Sequence, residues 1–464
     1  RVNGWSGSLP YMVKVSGAGV SAAGMADVAV DFLRTAAGDL RDRSVPPLNR
    51  RAKHLLCIPI LGTGGGGARH AAGEVVRSLL PAVMAEARSL DVDVAIVTNE
   101  PEAYAAAQAT RRKMVFQFPL PKTLFRKARN LAQLANSGQL CLFLGAGISA
   151  GAGLPTWGAL LDTIGARSSS EERRSRARLT KDRTEFEKMS FLDRARVLQR
   201  RLEAQGVSLG QAVADALKTV RNFVSIAHAL VAALPCNEVV TTNYDQLYEL
   251  AASGIGLPPT VLPYETAVRG NRWLLKLHGC VHHPDHIVLT RQDYIRFEAA
   301  SGALSGVVQG ALLTKHMLFL GFALEDDNFH RLFDEAARKK AKKAREGRAP
   351  PASKFGTVLT LHANRLQREL VRRLRVWHVA ASSVTTAADD APSIAELARV
   401  HDIVLDCISF HAAASNAANV LDPRFKSLLS PDELLLRAAI TSFVKELSPS
   451  VKKLPAYVGG RVLG

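Results

Sequence analysis

The stretch LCLFLGAGISAGAGLPTWGALLDTI, residues 140–164, decides how this chain is read. A five-residue apolar run breaks into glycines alternating with small residues, and a helical pattern follows. Glycine loses more conformational freedom on folding than any other residue, so such a cluster marks a place where the backbone must approach something closely. A strand that ends in a glycine turn and opens a helix points backbone N–H groups and the positive helix end at an anion, the arrangement that holds dinucleotide pyrophosphates. Gly145 and Gly147 would permit the approach, and Ser149 adds a hydroxyl. Tight turns use the same residues, so the turn reading stands beside the nucleotide reading at this point.

Two later stretches repeat the plan of an apolar strand with a polar tip. They are SIAHALVAALPCNEVVTTNYDQLYE, residues 225–249, and WLLKLHGCVHHPDHIVLTRQDY, residues 273–294. In an open parallel sheet the carboxyl ends of the strands line the ligand crevice, so Asn243, Asp245 and His278 are expected in one cleft with the glycine loop. Each has a plainer reading. Asn243 and Asp245 could cap the helix that begins YDQLYELA, and a histidine after an apolar strand is often a hydrogen-bonded structural residue. His228, on a helix with apolar neighbours, is read as structural.

Outward from this centre, the 464 residues are too many for one ordinary core and suit two or three domains. Residues 1–120 alternate strand-like runs (YMVKVSG, HLLCIPIL, DVDVAIVTN) with helical patterns (MADVAVDFLRTAAGDL, GEVVRSLLPAVMAEARSL, EAYAAAQATRRKM), which predicts a small α/β domain. Residues 121–383 open with a helix over 121–139 and continue with the apolar strands NEVVTTN, WLLKLHG, HMLFLGF and GTVLTL. Runs apolar throughout suit strands buried on both faces, so the expected fold class is α/β, a doubly wound parallel sheet. Residues 384–464 read as a helical extension suited to packing or oligomerisation.

Composition removes several function classes. The net charge is +18, but Arg338, Lys339, Lys340, Lys342, Lys343, Arg345 and Arg348 against Glu346 supply +6 of it in one tract running into GRAPPASK. A solvated insertion is expected there, not a nucleic-acid groove. The five cysteines, Cys57, Cys141, Cys236, Cys280 and Cys407, lie far apart without a C-x-x-C pair, which argues against a disulfide framework and a four-cysteine zinc site. His282, His283, Asp285 and His286 share one loop without a distant partner and are read as a solvated turn, so no metal is expected. No apolar stretch approaches the roughly 18 residues that span a bilayer, and no signal-peptide order is present, so a cytoplasmic protein without membrane contact is expected.

From residue 139 to 383 the sequence resembles the sirtuin family, on GAGISAGAGLP, AHALVAAL, TTNYDQL and LHG in the family's order, with FLGF and LTLHAN at its later nucleotide-binding strands. The resemblance implies a Rossmann-type NAD site, with Gly145, Ala146, Gly147, Ser149, Pro155, Thr242 and Gly321 binding the dinucleotide. It implies Asn243 and Asp245 at the nicotinamide side and His278 as the catalytic histidine. Thr290, Arg291 and Tyr294 would shape the pocket, and Glu325 and Asp326 would reach the adenosine ribose. Protein-deacylating sirtuins carry two cysteine pairs after the histidine-glycine motif, whereas here Cys280 is followed by no cysteine until Cys407. In that respect the chain is similar to the sirtuin-like NAD hydrolases of bacterial antiphage defence. The implied activity is cleavage of NAD, as substrate, to nicotinamide and ADP-ribose on a trigger, with a homo-oligomer or a defence-system protein as partner. An NAD-dependent deacylase or ADP-ribosyltransferase and a non-catalytic NAD or ADP-ribose scaffold remain the alternatives.

A second glycine loop, IPILGTGGGGARHAAGEVVRSLLPAV at residues 58–83, resembles the phosphate loop of macro domains. That likeness implies an ADP-ribose-type ligand for the first domain; a sheet domain used only for assembly is the other reading.

Overall fold

The computed structural model describes residues 11, 21–63, 68–114, 116–168, 184–218, 223–268, 270–300, 302–322, 329–336, 338, 354–360, 369, 375–378, 393–413 and 418–446. Most of the expected first strand at 11–17, the glycines 64–67, Glu325 and Asp326, and the basic tract beyond Arg338 lie outside the described residues. The chain divides into two units, residues 1–119 with 410–464, and residues 120–409.

In the first unit, helix α1 (Ala22–Asp42) starts at Ser21, whose hydroxyl accepts from Gly24 N. It buries Met25, Ala29, Leu33, Ala36 and Leu40, a stripe spaced at three and four residues. Strands β1 (Leu55–Pro59) and β2 (Asp93–Val97) pair in parallel from Leu55 opposite Asp93 to Pro59 opposite Val97. A parallel pair needs a crossover, supplied here by helix α2 (Ala72–Ser89). Helix α3 (Pro101–Lys113) follows, with proline at its first position, where no N–H is required. Phe425 and Leu428, from the far end of the chain, are buried in the same core as Met25, Ile58, Val75 and Leu79.

The second unit is built on seven parallel strands. Helix α4 (Lys122–Asn136) leads into β3 (Leu140–Leu144), every residue of which is buried. Helices α5 (Trp157–Ser168), α6 (Phe191–Glu203), α7 (Leu209–Lys218) and α8 (Ile226–Ala232) precede β4 (Glu238–Thr241). Then come α9 (Leu247–Gly254), β5 (Thr260–Leu262), β6 (Trp273–Lys276), α10 (Arg291–Ala300), α11 (Gly302–Thr314), β7 (His316–Leu320), β8 (Gly356–Thr360), β9 (Arg375–His378) and α12 (Ile394–Ala412). The strand order is β5-β6-β4-β3-β7-β8-β9. The chain thus leaves β3 toward one side of the sheet and returns to its other side at β7, the switch at which open α/β sheets form their crevice.

Register sorts the side chains onto two faces. Phe143, Val240, Leu275, Phe319 and Val358 are cross-strand neighbours and share one core with Val308 and Leu312 of α11. The opposite face carries a row at the strand tips, Leu320, Leu144, Thr241 and Lys276 in order across the sheet. Helix α4 packs on β3, whose five residues are all buried, as an apolar run throughout its length requires. The second unit has the expected α/β fold with a doubly wound parallel sheet, and the first is a smaller α/β unit. Among the described residues no helix is long and apolar enough to cross a membrane.

Candidate active site

The exits of β3 and β7 meet backbone to backbone. Gly147 N donates to Gly321 O at 2.9 Å, and Gly145 N donates to Leu320 O at 2.9 Å. A Cβ on Gly145 would lie 2.6 Å from Gly321 O, and one on Gly147 would lie 2.8 Å from Gly321 Cα. Gly321 itself has φ +62°, and its Cβ would fall 2.2 Å from Ile148 N. The close approach that these glycines permit is therefore, in the first place, that of one chain turn to another at the switch point. It brings the 3-10 turn Ala146–Ala152 over the strand tips with Ser149 buried inside it.

Ser149 is the centre of a buried polar group. Its hydroxyl donates to Asp245 Oδ2 at 2.8 Å and accepts from Asn243 Nδ2 at 3.2 Å. The same Nδ2 donates to Gly145 O at 3.1 Å. A carbonyl can only accept, so the amide of Asn243 is fixed in this orientation and its Oδ1 points elsewhere. That oxygen is buried and has no hydrogen-bond partner among the described residues, a condition that costs about 1–3 kcal/mol unless something occupies the place. The backbone beneath is held by Thr241, whose hydroxyl donates to Leu144 O and accepts from Asn243 N, each at 3.0 Å.

Asp245 does two things at once. Its Oδ1 accepts from Leu247 N at 3.0 Å, satisfying an N–H at the start of α9, while Oδ2 holds Ser149. The capping and functional readings of this residue are thus compatible, one oxygen for each. Of the other sequence-predicted residues, Thr242 continues the ladder by donating to Leu144 O at 3.2 Å. Ala146 opens the 3-10 turn, and Pro155 stands between that turn and α5, outside this hydrogen-bonded group.

His278 sits at the exit of β6, the sheet neighbour of β4, and is 2 % exposed. Its carbonyl accepts from Val288 N, and the two exits are laced by Val281 N to Tyr244 O at 3.0 Å and Tyr244 OH to Val288 O at 2.9 Å. Gly279, with φ +95°, lets the chain turn beneath His286, whose carbonyl oxygen a Cβ would meet at 2.4 Å. The imidazole has Tyr294 at 5.2 Å and Trp157 at 6.5 Å between ring centroids. Thr290 and Asp293 cap α10 reciprocally, which sets Tyr294, while Arg291 reaches Asp193 of α6 at 3.3 Å. Among the histidines after Cys280, His283 stacks on Tyr264 at 4.0 Å and His282 meets Gln246 at 3.1 Å. Among the described residues no three His, Cys, Asp or Glu side chains gather as a metal site would need.

Two residues here escaped the sequence reading. His228, taken as structural, has its Nε2 3.5 Å from Ser149 Oγ and its Nδ1 2.8 Å from Ser225 Oγ. Burial holds its pKa below the usual value, with Asp245 acting in the opposite sense. In the neutral ring Nδ1 accepts from Ser225 and the Nε2–H faces Ser149, a tautomer assigned from these partners. The available signal was Ser225 three residues before His228, where a cap hydroxyl and a ring meet on one helical turn. The second residue is Lys276, whose side chain has no exposed surface. Its signal was a lone charge inside WLLKLHG, a run otherwise apolar up to the histidine.

The SIR2-like domain family matches residues 237–373. NAD(+) hydrolase ThsA of Enterococcus faecium is 33% identical over 118 residues, 24% of this chain and 25% of that protein. The protein of the same name from Bacillus cereus (strain MSX-D12) is 33% identical over 106 residues, 22% of each chain. Defense-associated sirtuin 2 of Bacillus subtilis is 23% identical over 212 residues, 44% of this chain and 20% of that one. The chain spans about a quarter or less of the length of these curated relatives. With the ordered motifs, the parallel sheet and the strand-tip cluster, these matches identify a chain that carries a SIR2-like domain, distantly homologous to the ThsA NAD hydrolases and to a defense-associated sirtuin.

Proposed function

We propose that the chain is a sirtuin-like NAD glycohydrolase that cleaves NAD to nicotinamide and ADP-ribose, and that it does so in antiphage defence once triggered. The observation that carries this reading is the buried, partnerless Oδ1 of Asn243, held beside Asp245 and Ser149 at the sheet's switch point. An acceptor fixed in that way suits a ligand N–H, such as the nicotinamide carboxamide, or an ordered water. The distant relatives named as NAD hydrolases and as a defense-associated sirtuin point the same way.

The chemistry asks little of an acid. Nicotinamide in NAD is already a pyridinium, so it departs neutral when its bond to ribose breaks. The barrier lies in the oxocarbenium-like charge on the sugar and in the supply of water. The Asp245 carboxylate supplies fixed negative charge in a largely dry site, where it needs no reorganisation as the positive charge develops. Ser149 keeps that carboxylate oriented. His278 accepts the proton of the attacking water or of a ribose hydroxyl and releases it to solvent, a role worth about 100- to 10,000-fold. One water is consumed, and nicotinamide, ADP-ribose and a proton leave.

Incubation of the purified chain with NAD, alone and with phage-infected lysate, tests the reading. Nicotinamide release is expected to fall by about 100-fold or more in His278→Ala and in Asn243→Ala. Equal NAD loss in wild type and both variants, or none under any condition, overturns it.

A further inference from the structure

Lys276 is a charge set in an apolar sheet. It closes the row Leu320, Leu144, Thr241 at the strand tips, and it is 1 % exposed. Burial of an ammonium costs several kcal/mol, and a hydrophobic residue of similar volume is often as stable or more so in such a place. What the lysine touches gives the reason for it. Its Nζ lies 2.9 Å from Glu249 Oε1 on α9 and donates to the backbone carbonyl of Asp245. Burial works against the charge, but Glu249 and, after it, Cys280 and Asp245 outweigh it and hold the lysine pKa above its ordinary value. The ammonium is therefore a permanent donor at the root of the turn that carries Asn243 and Asp245.

The turn is also tied through Tyr244, whose carbonyl accepts from Val281 N at 3.0 Å and whose hydroxyl donates to Val288 O at 2.9 Å. Thr241 fixes Asn243 N, Leu144 O receives Thr242 N, and Asp245 Oδ1 binds the start of α9. None of these bonds reaches the Asp245 carbonyl, the backbone acceptor that lies between the turn and the start of α9. His278 follows Lys276, the last residue of β6, by two residues. The side chain that anchors the turn thus ends the strand whose exit carries the imidazole.

We infer that Lys276 is a positioning residue: it ties the Asp245 carbonyl and α9 to β6 and so registers the nicotinamide side of the site against His278. The inference rests on the NAD-cleavage reading above and adds to it a residue that touches no ligand.

Lys276→Met alone leaves Glu249 buried without its counter-charge, so the decisive variant is Lys276→Met with Glu249→Gln. It is expected to melt close to wild type while kcat for NAD cleavage falls about 100-fold, the scale of a misplacement of about 1 Å. KM is expected to stay within about threefold, since the loss lies in the transition state. Glu249→Gln alone keeps the lysine on the carbonyl and is expected to keep kcat within about threefold. Calorimetry on the same proteins reads the site without turnover: nicotinamide affinity is expected to drop about tenfold in the double variant while ADP-ribose affinity holds. A double variant that does not fold, or that folds with wild-type kcat and nicotinamide affinity, overturns the inference. A wild type that binds both probes without cleaving NAD overturns the proposed activity and leaves the nicotinamide measurement to judge Lys276. A wild type that neither cleaves NAD nor binds a probe overturns both.

Discussion

Two parallel strands of this chain run out into glycine, β1 at Gly62 and β3 at Gly145 and Gly147. Around the first exit, Ile60, Leu61 and Ala68 are buried in an apolar core, and Gly62 faces the thioether of Met25. Around the second, two backbones touch, and Ser149, Asn243, Asp245 and His228 gather within hydrogen-bond reach. The exit of β4, next to the second, adds to it: Asp245 there holds Leu247 N at the start of α9, whereas α2 starts at Ala71 with no side-chain cap. Glycine density is common to both exits, so it marks a close approach without saying of what. The polar side chains brought by later segments are what make the second exit the candidate site.

The sharpest way to break that contrast is to put a methyl group on each side of it. Alanine at Gly321 would thrust Cβ to 2.2 Å from Ile148 N, a backbone atom held on both sides, at a φ of +62°. We expect Gly321→Ala to cost about 3 kcal/mol or more and to abolish the arrangement of the 3-10 turn. At Gly62 the first contact is Met25 Cε at 2.5 Å, the free end of a flexible side chain. Gly62→Ala is expected to cost only about 1–2 kcal/mol, mainly from its left-handed φ. Urea unfolding of both variants measures the difference, and a larger loss at Gly62 would undo the distinction between a backbone contact and an apolar one.

Much of the second exit was legible because its signals are local. Apolar runs such as β3 suit burial on both faces, and polar residues that follow such runs are expected at the crevice, so the meeting of Asn243 and Asp245 with Ser149 was expected from their places at the strand ends. The reason for Gly145 and Gly147 was not legible, since their contact, Gly321, lies far along the chain and is reached only by the crossover to β7. The contact of His228 with this group was not legible for the same reason: its helical neighbours are apolar, and Ser149 and Asp245 come from other segments. Lys276 was not singled out in the sequence, because its partners, Glu249 and the Asp245 carbonyl, come from a separate segment of the chain.

The contrast also predicts how the exits respond to acid. His228 has a folded-state pKa lowered by burial, so folding is favoured while the ring is neutral. As pH falls through about 6.5 the unfolded chain takes up a proton that the folded site resists, and stability is lost by up to about 1.4 kcal/mol per pH unit from this group. Above about 7 both states are neutral and the contribution is constant. Titration of unfolding between pH 7.5 and 5.5 is expected to show this slope in wild type and a shallower one in His228→Asn. Equal slopes would remove His228 from the buried group as a titrating member.

The smallest effect belongs to the helix after His278. Thr290 is fully buried; its hydroxyl donates to Asp293 Oδ2 at 2.7 Å and accepts from Asp293 N at 3.3 Å, closing a capping box on α10. Thr290→Val keeps the shape and removes the bond, which costs about 1 kcal/mol at such a cap. For a unit of this size that lowers the melting temperature by about 2–4 °C. Because α10 carries Tyr294 against His278, fraying there loosens one wall of the imidazole, whereas the uncapped start of α2 has no such wall to lose. NAD cleavage by Thr290→Val is therefore expected to fall more than the stability change alone would bring. A variant that loses melting temperature but no activity at 25 °C would mean that the imidazole is held by the strand exits alone.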